Sequence, residues 1–226
     1  MLAGMKRDIV DPDVHRYAVE HTSPADPLLA ELAARTAADF PESAIMQIGP
    51  EQGVFMNLLA ASIGARRVLE VGTYTGYSTI CLARGTATGG RLISCDVSAE
   101  WSAIAAKFLA RAGVSDRVEL RLGPALDTIA ALPDDEPLDL AFIDADKPNY
   151  IAYWEAIVPR LRPGGLLLVD NTLFFGLVVD ETNQHANPRA IRAFNDHARA
   201  DPRVQLTVLT IGDGLTLARR LDRDGT

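Results

Sequence analysis

The chain has 226 residues, of which 48% are hydrophobic and 23% charged, with a formal net charge of −8 at pH 7. This length suffices for one domain with a buried core, and the acidic balance argues against broad binding to nucleic acid or anionic membranes. The sequence shows neither a membrane-length apolar run nor a signal-peptide pattern, so a cytoplasmic protein without membrane contact is the expectation.

The N-terminal part is predicted to be helical. Residues 1–25 are polar and broken by prolines, and they could form a helix that packs on the domain or on a second subunit. Residues 27–39 and 51–63 have helical periodicity, and Gly64 ends the second helix. Residues 1–40 therefore form a predicted helical extension.

From residue 68 onward, short apolar runs alternate with helical segments. This alternation predicts a parallel sheet with right-handed crossovers. The predicted strands are 68–71, 91–96, 118–122, 138–143 and 165–170, and the predicted helices lie near 76–84, 99–112, 124–131 and 148–161.

The C-terminal part has a different pattern. Asn187-Pro188 predicts the start of a helix, with asparagine as its cap. Two β-like runs, 204–211 and 215–218, are joined by Gly212-Asp213-Gly214, which predicts an antiparallel hairpin. The predicted fold is α/β, with a doubly wound, Rossmann-like, mostly parallel seven-stranded sheet that ends in this hairpin. All 226 residues are assigned to one domain.

Four of the short apolar runs that predict strands end in a carboxylate: Glu70, Asp96, Asp144 and Asp170. Acids gain nothing from a buried core, because an unpaired charge is costly to desolvate. The carboxyl ends of parallel strands open onto the crevice where doubly wound sheets bind ligands. The repeated acids therefore predict a ligand site at one edge of the sheet.

The first two acids flank a glycine turn. Gly72 and Gly76 are spaced G-x-x-x-G, unlike the G-x-G-x-x-G of dinucleotide enzymes. They could let the backbone approach a ligand beside the free N–H groups of a helix, or simply join strand to helix. Asp96 is placed to accept hydrogen bonds from ribose hydroxyls, or alternatively to cap a helix.

The last two acids lie beside other polar residues. Asp144, Asp170 and Asn171 offer hard oxygen ligands, which suit Mg²⁺ better than zinc because no histidine or cysteine joins them. The alternative is a carboxylate held by a helix N-terminus. Lys147 could act as a general base, since a lysine can lose its proton and an arginine in practice cannot. Its alternative is a surface lysine beside two aspartates.

Residues 40 to 220 resemble the class I S-adenosylmethionine-dependent O-methyltransferases, and four segments carry the resemblance. The resemblance is greatest to the cation-dependent catechol and caffeoyl-CoA O-methyltransferase group. The third and fourth segments, in this order and spacing, are specific to that group. The segments are VLEVGTYTGYSTICL at 68–82, GPAL at 123–126, FIDADKPNY at 142–150 and PGGLLLVDNTL at 163–173.

The resemblance implies S-adenosylmethionine as the methyl donor and a divalent cation, with Mg²⁺ expected and Mn²⁺ or Ca²⁺ as alternatives. It also implies a homodimer, with residues 1–40 as the expected contact. Lys147 would be the general base, and Asp144 would be the second catalytic residue. The implied donor-binding residues are Glu70, Gly72 and Ser78 at the amino-acid part, Met46 over it, Asp146 near the amino group, Asp96 at the ribose and Ala125 at the adenine. The implied cation ligands are Asp144, Asp170 and Asn171.

The predicted acceptor loop, residues 172–187, departs from the plant enzymes. Phe174-Phe175-Gly176 stands where plant caffeoyl-CoA enzymes usually carry a tryptophan and a polar residue before the glycine, so their substrate contact is not carried over. Paired phenylalanines suit a flat aromatic acceptor. The predicted function is cation-dependent O-methylation of a vicinal dihydroxyaromatic small molecule.

Three other functions are weighed against this one. A tRNA-base O-methyltransferase is disfavoured by the charge of −8, because phosphate contacts need Lys or Arg. A non-catalytic donor-binding protein is disfavoured by the intact set around Asp144 and Lys147. A nicotinamide oxidoreductase does not match the glycine spacing.

Some reactive or aromatic side chains are assigned to packing. Cys81 and Cys95 stand in apolar contexts, which predicts reduced core residues and neither a disulfide nor a metal site. Trp101 and Trp154 fall on predicted helices and are interpreted as packing residues.

Overall fold

A computed structural model describes residues 9–24 and 26–222. Its seven strands form one sheet, and the predicted α/β class is confirmed. The strands are β1 (Arg67–Val71), β2 (Arg91–Asp96), β3 (Val118–Leu122), β4 (Leu138–Ile143), β5 (Leu161–Val169), β6 (Val204–Leu209) and β7 (Leu215–Arg220). Their order in the sheet is β3-β2-β1-β4-β5-β7-β6.

Helices precede the first strand and connect most of the others. No helix in the described ranges is long and apolar enough to cross a membrane. The helices are α1 (Pro12–Glu20), α2 (Pro27–Asp39), α3 (Pro50–Ser62), α4 (Tyr77–Gly85), α5 (Ala99–Arg111), α6 (Ala125–Ala130), α7 (Tyr150–Ile157) and α8 (Ala186–Ala200).

The chain divides into two compact units, and the first comprises Val19–Leu132. Its strands β1, β2 and β3 pair in parallel, as the β–α alternation predicted. Helix α3 packs on α4 so closely that a Cβ on Gly53 would lie 2.8 Å from Cys81 Sγ. Cys81 and Cys95 are free and buried, and burial raises the pKa of these thiols to about 12 and about 11. The prediction that both cysteines are core residues is confirmed.

The second unit joins the segment that ends at Ala18 to the chain from Pro133 onward. In it β4 and β5 are parallel, whereas β5–β7 and β6–β7 are antiparallel, which confirms the C-terminal hairpin. Strand β5 begins at Leu161, earlier than the predicted start at residue 165, because Pro163-Gly164-Gly165 forms an irregularity inside the strand. A Cβ at Gly165 would lie 3.0 Å from the carbonyl oxygen of Leu138, so glycine suits this close approach.

Two predicted helix boundaries were wrong. The helix near 148–161 is shorter, because its prolines fall in 3₁₀ turns, Lys147–Asn149 and Val158–Arg160, on either side of α7. Helix α8 begins before Asn187, which is therefore not its cap. The side chain of Asn183 accepts a hydrogen bond from the backbone N–H of His185 (3.1 Å) and holds the chain just ahead of the helix.

Helix α7 is attached to the region after α8 through a buried tryptophan, as the packing assignment of Trp154 predicted. The Trp154 ring is fully buried against Phe194, and its Nε1 donates to Asp201 (2.8 Å). Burial by itself would raise the pKa of Asp201, but hydrogen bonds from Arg203 and Trp154 outweigh it and lower the pKa to about 2.

Asp201→Asn is expected to lower the free energy of unfolding by about 2 kcal/mol at pH 7, because one pKa unit corresponds to about 1.4 kcal/mol. Since the folded-state pKa is depressed, this stabilisation is complete above the ordinary value of 3.8 and is lost as the pH falls toward about 2. Thermal unfolding should show a drop of about 4–8 °C that narrows below pH 4. The exposed control Asp135→Asn should leave the transition in place, and an equal drop at every pH would contradict the assignment.

Candidate functional site

The predicted site residues divide between the two units. The unit Val19–Leu132 contains Met46, Glu70, Gly72, Ser78, Asp96 and Ala125, and the other contains Asp144, Asp146, Lys147, Asp170 and Asn171.

The glycine turn between β1 and α4 has an unusual backbone. Gly72 and Gly76 have φ of 107° and 97°, and Tyr74 between them has φ of 48°. Glycine reaches these angles without steric cost. At Gly76 an added Cβ would also lie 3.0 Å from the Cβ of Ala105 on α5. The turn therefore depends on both glycines of the G-x-x-x-G spacing.

Asp96, at the end of β2, holds this turn. Its Oδ2 accepts hydrogen bonds from the backbone N–H groups of Thr73 (3.1 Å) and Tyr74 (2.7 Å), and its Oδ1 accepts from Ser98 N–H (2.8 Å). The cap of α5 is Ser98, whose Oγ accepts from the backbone N–H of Trp101 (3.2 Å), so Asp96 holds the turn and does not cap the helix. Binding of a ribose by the same carboxylate stays a prediction.

Glu70 is completely buried within β1. Its Oε2 accepts hydrogen bonds from the hydroxyl groups of Thr79 on α4 and Ser94 on β2, each at 2.5 Å. Ser78 lies in the first turn of α4, immediately before Thr79 in the sequence, and is buried. The carboxylate therefore connects strand and helix below the glycine turn, and its predicted contact with the donor's amino-acid part stays a prediction.

The remaining donor-site candidates of this unit are linked to the same turn. Met46 lies in a 3₁₀ segment, Ala44–Met46, and is 46% exposed. The preceding Ser43 is hydrogen bonded through its Oγ to the Tyr74 hydroxyl (3.0 Å). Ala125 is the buried first residue of α6, and nearby Gly123 donates its N–H to the carbonyl oxygen of Asp96 (2.9 Å).

An aromatic cluster that was not predicted from the sequence lies beside the turn. Tyr74 packs edge-on against Trp101, with ring centroids 4.8 Å apart, and Phe40 lies 6.3 Å from Tyr74. Trp101 is thus a packing residue, as predicted, but its partner belongs to the glycine turn. Tyr74 lies between the two glycines, and this position was the one indication in the sequence that an aromatic side chain belongs to the turn.

In the other unit, Lys147 is held by two side chains. Its Nζ donates to Asp144 Oδ1 (2.9 Å) and to the Tyr150 hydroxyl (2.7 Å). The side chains of Lys147 and Asp144 are only 13% and 15% exposed. The alternative of a surface lysine is therefore excluded. Asp146 is engaged elsewhere, because its carboxylate accepts from Tyr153 (2.6 Å) and from Asn149 (2.5 Å).

The ends of β4 and β5 are adjacent. The backbone N–H of Asp170 donates to the carbonyl oxygen of Ile143 (2.9 Å), which sets Asp170 beside the start of the segment that carries Asp144. Asp170 is 3% exposed, and its Oδ1 accepts from the Asn171 N–H (2.7 Å). Asn171 has φ of 57°, a left-handed conformation that asparagine tolerates better than most residues.

Tyr150 lies completely buried among acids. Burial raises the pKa of its hydroxyl well above the ordinary value of 10, and nearby negative charges raise it further. Neither Tyr150, which lies one helical turn after Lys147, nor Asp213, which was assigned only to a turn, was predicted to belong to the site. The charges that act on Tyr150 are those of Asp144, Asp170, Asp146 and Asp213.

The donor set of this acidic region fits a hard cation. Asp144 and Asp170 offer carboxylate oxygens and Asn171 an amide oxygen, the ligand types that Mg²⁺ and Ca²⁺ prefer. Within the described ranges no three His, Cys, Asp or Glu side chains form a metal-type cluster. The predicted ligand set, with two carboxylates and one asparagine amide, is not a cluster of that kind. Binding of a cation by this set stays a prediction.

The predicted acceptor loop has an irregular backbone. Its 3₁₀ segment Phe174–Val179 contains Phe174 and Phe175 at φ of 43° and 54°, and their rings lie 5.5 Å apart. A surface cavity of about 400 Å³ follows in the second half of the loop. It is lined by Asp180, Thr182, Asn183, Gln184 and His185.

Comparison with known proteins identifies the family. An O-methyltransferase family model matches residues 19–221. The chain belongs to the O-methyltransferase family. The predicted enzyme class, an S-adenosylmethionine-dependent O-methyltransferase, is thereby confirmed.

Individual relatives of this O-methyltransferase cover nearly the whole chain. A catechol O-methyltransferase of Mycobacterium tuberculosis is 40% identical over 95% of this chain and 98% of its own. A Dictyostelium discoideum protein named probable caffeoyl-CoA O-methyltransferase 1 is 37% identical, over 91% of each chain. The structure of a Bacillus cereus O-methyltransferase in complex with SAH aligns with a TM-score of 0.83 and 36% identity, over 97% of this chain and 100% of that one.

Asp96→Ala is expected to weaken S-adenosylmethionine binding by about 100-fold, since hydrogen bonds to a charged group contribute about 1.5–3 kcal/mol each. The change removes the acceptor for the N–H groups of Thr73 and Tyr74. Calorimetry with S-adenosylmethionine measures the affinity. Asp116→Ala, at an exposed aspartate of the same unit, should bind as the parent does. An unchanged affinity in Asp96→Ala would remove Asp96 from the donor site.

Proposed function

We propose that this O-methyltransferase uses a divalent cation, with Mg²⁺ as the expected ion. It methylates one hydroxyl of a small molecule that has two adjacent hydroxyl groups on an aromatic ring. Asp144, Asp170 and Asn171 would hold the cation. When bound, the cation would lower the pKa of the acceptor hydroxyl and orient its oxygen. The observation that carries the proposal is the position of Lys147, which is little exposed, paired with Asp144 and hydrogen bonded to Tyr150.

Lys147 supplies the acid–base chemistry in this proposal. Its Nζ takes the proton of the acceptor hydroxyl, and the resulting oxygen attacks the methyl carbon of the sulfonium donor. The O–CH₃ bond forms as the S–CH₃ bond breaks, which leaves S-adenosylhomocysteine. Contacts with Asp144 and Tyr150 fix the Lys147 amine, so little orientation has to be gained during the reaction.

The proposed binding site for the methyl donor is built around the glycine turn that Asp96 holds. The Bacillus cereus structure contains SAH, which is S-adenosylmethionine after loss of the methyl group. We assign the same donor to this chain, with Met46, Glu70, Gly72, Ser78, Asp96, Ala125 and Asp146 as its contacts. Two observations support this assignment. Gly72 has a positive φ that lets the backbone approach a ligand, and Asp96 has a carboxylate at the turn.

The acceptor class is supported by the relatives and by the loop. The relatives in Mycobacterium tuberculosis and Dictyostelium discoideum are named for catechol and caffeoyl-CoA, both with adjacent ring hydroxyls. Phe174 and Phe175 place two aromatic rings in the predicted acceptor loop. A small aromatic acceptor also accords with the net charge of −8.

A methyl-transfer screen tests the function. The purified protein is incubated with labelled S-adenosylmethionine and catechols, hydroxycinnamates, their CoA esters or tRNA, each with and without Mg²⁺. We expect transfer to catechol-type acceptors only when Mg²⁺ is present, and none to analogues with a single hydroxyl. Equal transfer to single-hydroxyl analogues would contradict the role of adjacent oxygens, and transfer to tRNA alone would contradict the acceptor class.

The proposal includes a homodimer with residues 1–40 at the contact. Within the described part of this segment, helix α1 exposes Val14 and Tyr17. Light scattering after gel filtration measures the mass in solution. Replacing both residues with serine is expected to shift a dimer toward the monomer.

A further inference from the structure

Asp213, in the turn between β6 and β7, lies against the predicted cation ligand Asn171. The Asn171 Nδ2 group donates to Asp213 Oδ2 (3.4 Å). The other oxygen of the same carboxylate, Oδ1, accepts a short hydrogen bond from the backbone N–H of Phe175. Asp213 therefore contacts both Asn171 and the acceptor loop.

This contact determines which end of the Asn171 amide faces away from Asp213. An amide side chain has a donor end and an acceptor end, whereas an ionised carboxylate only accepts hydrogen bonds. The NH₂ group must therefore point to Asp213, and the carbonyl oxygen, Oδ1, takes the opposite side. A cation binds the carbonyl oxygen and is repelled by the NH₂ group.

The hairpin turn holds Asp213 in place. The backbone N–H groups of Thr172 and Leu173 donate to the carbonyl oxygens of Gly214 (2.9 Å) and Asp213 (3.1 Å). A Cβ on Gly214 would lie 2.5 Å from the backbone nitrogen of Leu173. With the turn and the loop in such close contact, the position of the Asp213 carboxylate follows from the backbone.

We propose that Asp213 is a positioning residue that orients the carbonyl oxygen of Asn171 toward the cation. The inference rests on the proposed cation dependence and adds a residue outside the ligand set. Groups that orient a metal ligand without touching the metal affect metal affinity by about 10–100-fold. Asp213 should therefore influence cation binding through Asn171 and leave donor binding unchanged.

Mn²⁺ binding is the direct test, because free Mn²⁺ is counted by its electron paramagnetic resonance signal. Asp213→Asn preserves the size of the side chain. Its amide oxygen can still accept from Phe175 N–H, and its NH₂ group then faces Asn171 and forces that amide to turn round. We expect Mn²⁺ affinity to fall about 10–100-fold, with an unchanged calorimetric affinity for S-adenosylmethionine.

A double-mutant cycle separates orientation from simple loss of charge. Asn171→Gly removes the amide, and glycine tolerates the φ of 57° at this position. If Asp213 acts through Asn171, then Asp213→Asn has no further effect on Mn²⁺ affinity in the Asn171→Gly background. Asp196→Asn, an equal charge change at an exposed position on α8, serves as the control and should bind Mn²⁺ as the parent does.

Four results would overturn the inference, the first three of them without affecting the proposed cation dependence. Additive losses in the cycle would make Asp213 a source of charge only, and unchanged affinity in Asp213→Asn would remove it from the site. A crystal of the parent protein with Mn²⁺ in which Nδ2 of Asn171 faces the metal would also contradict it, whether or not the variants fold. Failure of the parent to bind Mn²⁺ would instead overturn the cation dependence itself, and the inference with it.

Discussion

Lys147→Ala is expected to lower kcat by about 10²- to 10⁴-fold, the usual contribution of a positioned general base. The substitution removes the amine that Asp144 and Tyr150 hold at 2.9 Å and 2.7 Å. The affinity for S-adenosylmethionine should not change, because the donor contacts are assigned to other residues. Steady-state kinetics with the acceptor found in the screen, together with calorimetry for the donor, measure the two effects separately.

Two further lysine variants make this result specific. Lys107→Ala removes an exposed lysine from α5 and should retain the parental kcat. Lys147→Arg keeps the positive charge but cannot take up a proton, so it should be as slow as the alanine variant. Parental turnover in Lys147→Arg would show that only the charge at position 147 matters, and the general-base assignment would then be wrong.

Removal of divalent cations is expected to reduce methyl transfer by about 10³-fold or more, since a Lewis acid contributes several kcal/mol to such a reaction. The physical reason is the concentration of acids around Tyr150, where Asp144 and Asp170 offer oxygen ligands. The protein is treated with EDTA, and the initial rate is followed as Mg²⁺ is added back. The rate should recover as the added Mg²⁺ exceeds the chelator.

The control for chelation is EDTA that has been saturated with Mg²⁺ beforehand, which should leave the rate unchanged. Calorimetry in EDTA should show normal donor affinity, because the Asp96-held turn does not include the cation ligands. A full rate in excess EDTA would contradict the cation dependence. It would leave the family assignment, which rests on residues 19–221, intact.

Most of the fold could be predicted because its strands and helices are encoded locally. Strand β4 is an apolar run followed by Asp144, and the structure ends it at Ile143 as predicted. The β6–β7 hairpin followed from a glycine turn between two β-like runs. The start of β5 could not be predicted, because Pro163-Gly164-Gly165 is compatible with a turn as well as with an irregular strand. Its pairing with β4 decides between them.

Candidate site residues could be proposed from the sequence where they lie within a few positions of a strand end. Lys147 and Asn171 are of this kind, since each is close in sequence to an acid that a buried strand positions. Asp213 is 42 residues from Asn171, and no local pattern relates the two. The structure was needed to bring them together.

The sequence by itself determined the α/β class, the family and the acids at the strand ends, because hydrophobic periodicity and short motifs are properties of neighbouring residues. Only the tertiary structure decided which groups those acids contact. It connects Asp96 to the turn at Tyr74, surrounds Tyr150 with carboxylates and sets Asp213 beside Asn171. These contacts join segments far apart in the chain, and their geometry depends on the packing of the folded protein.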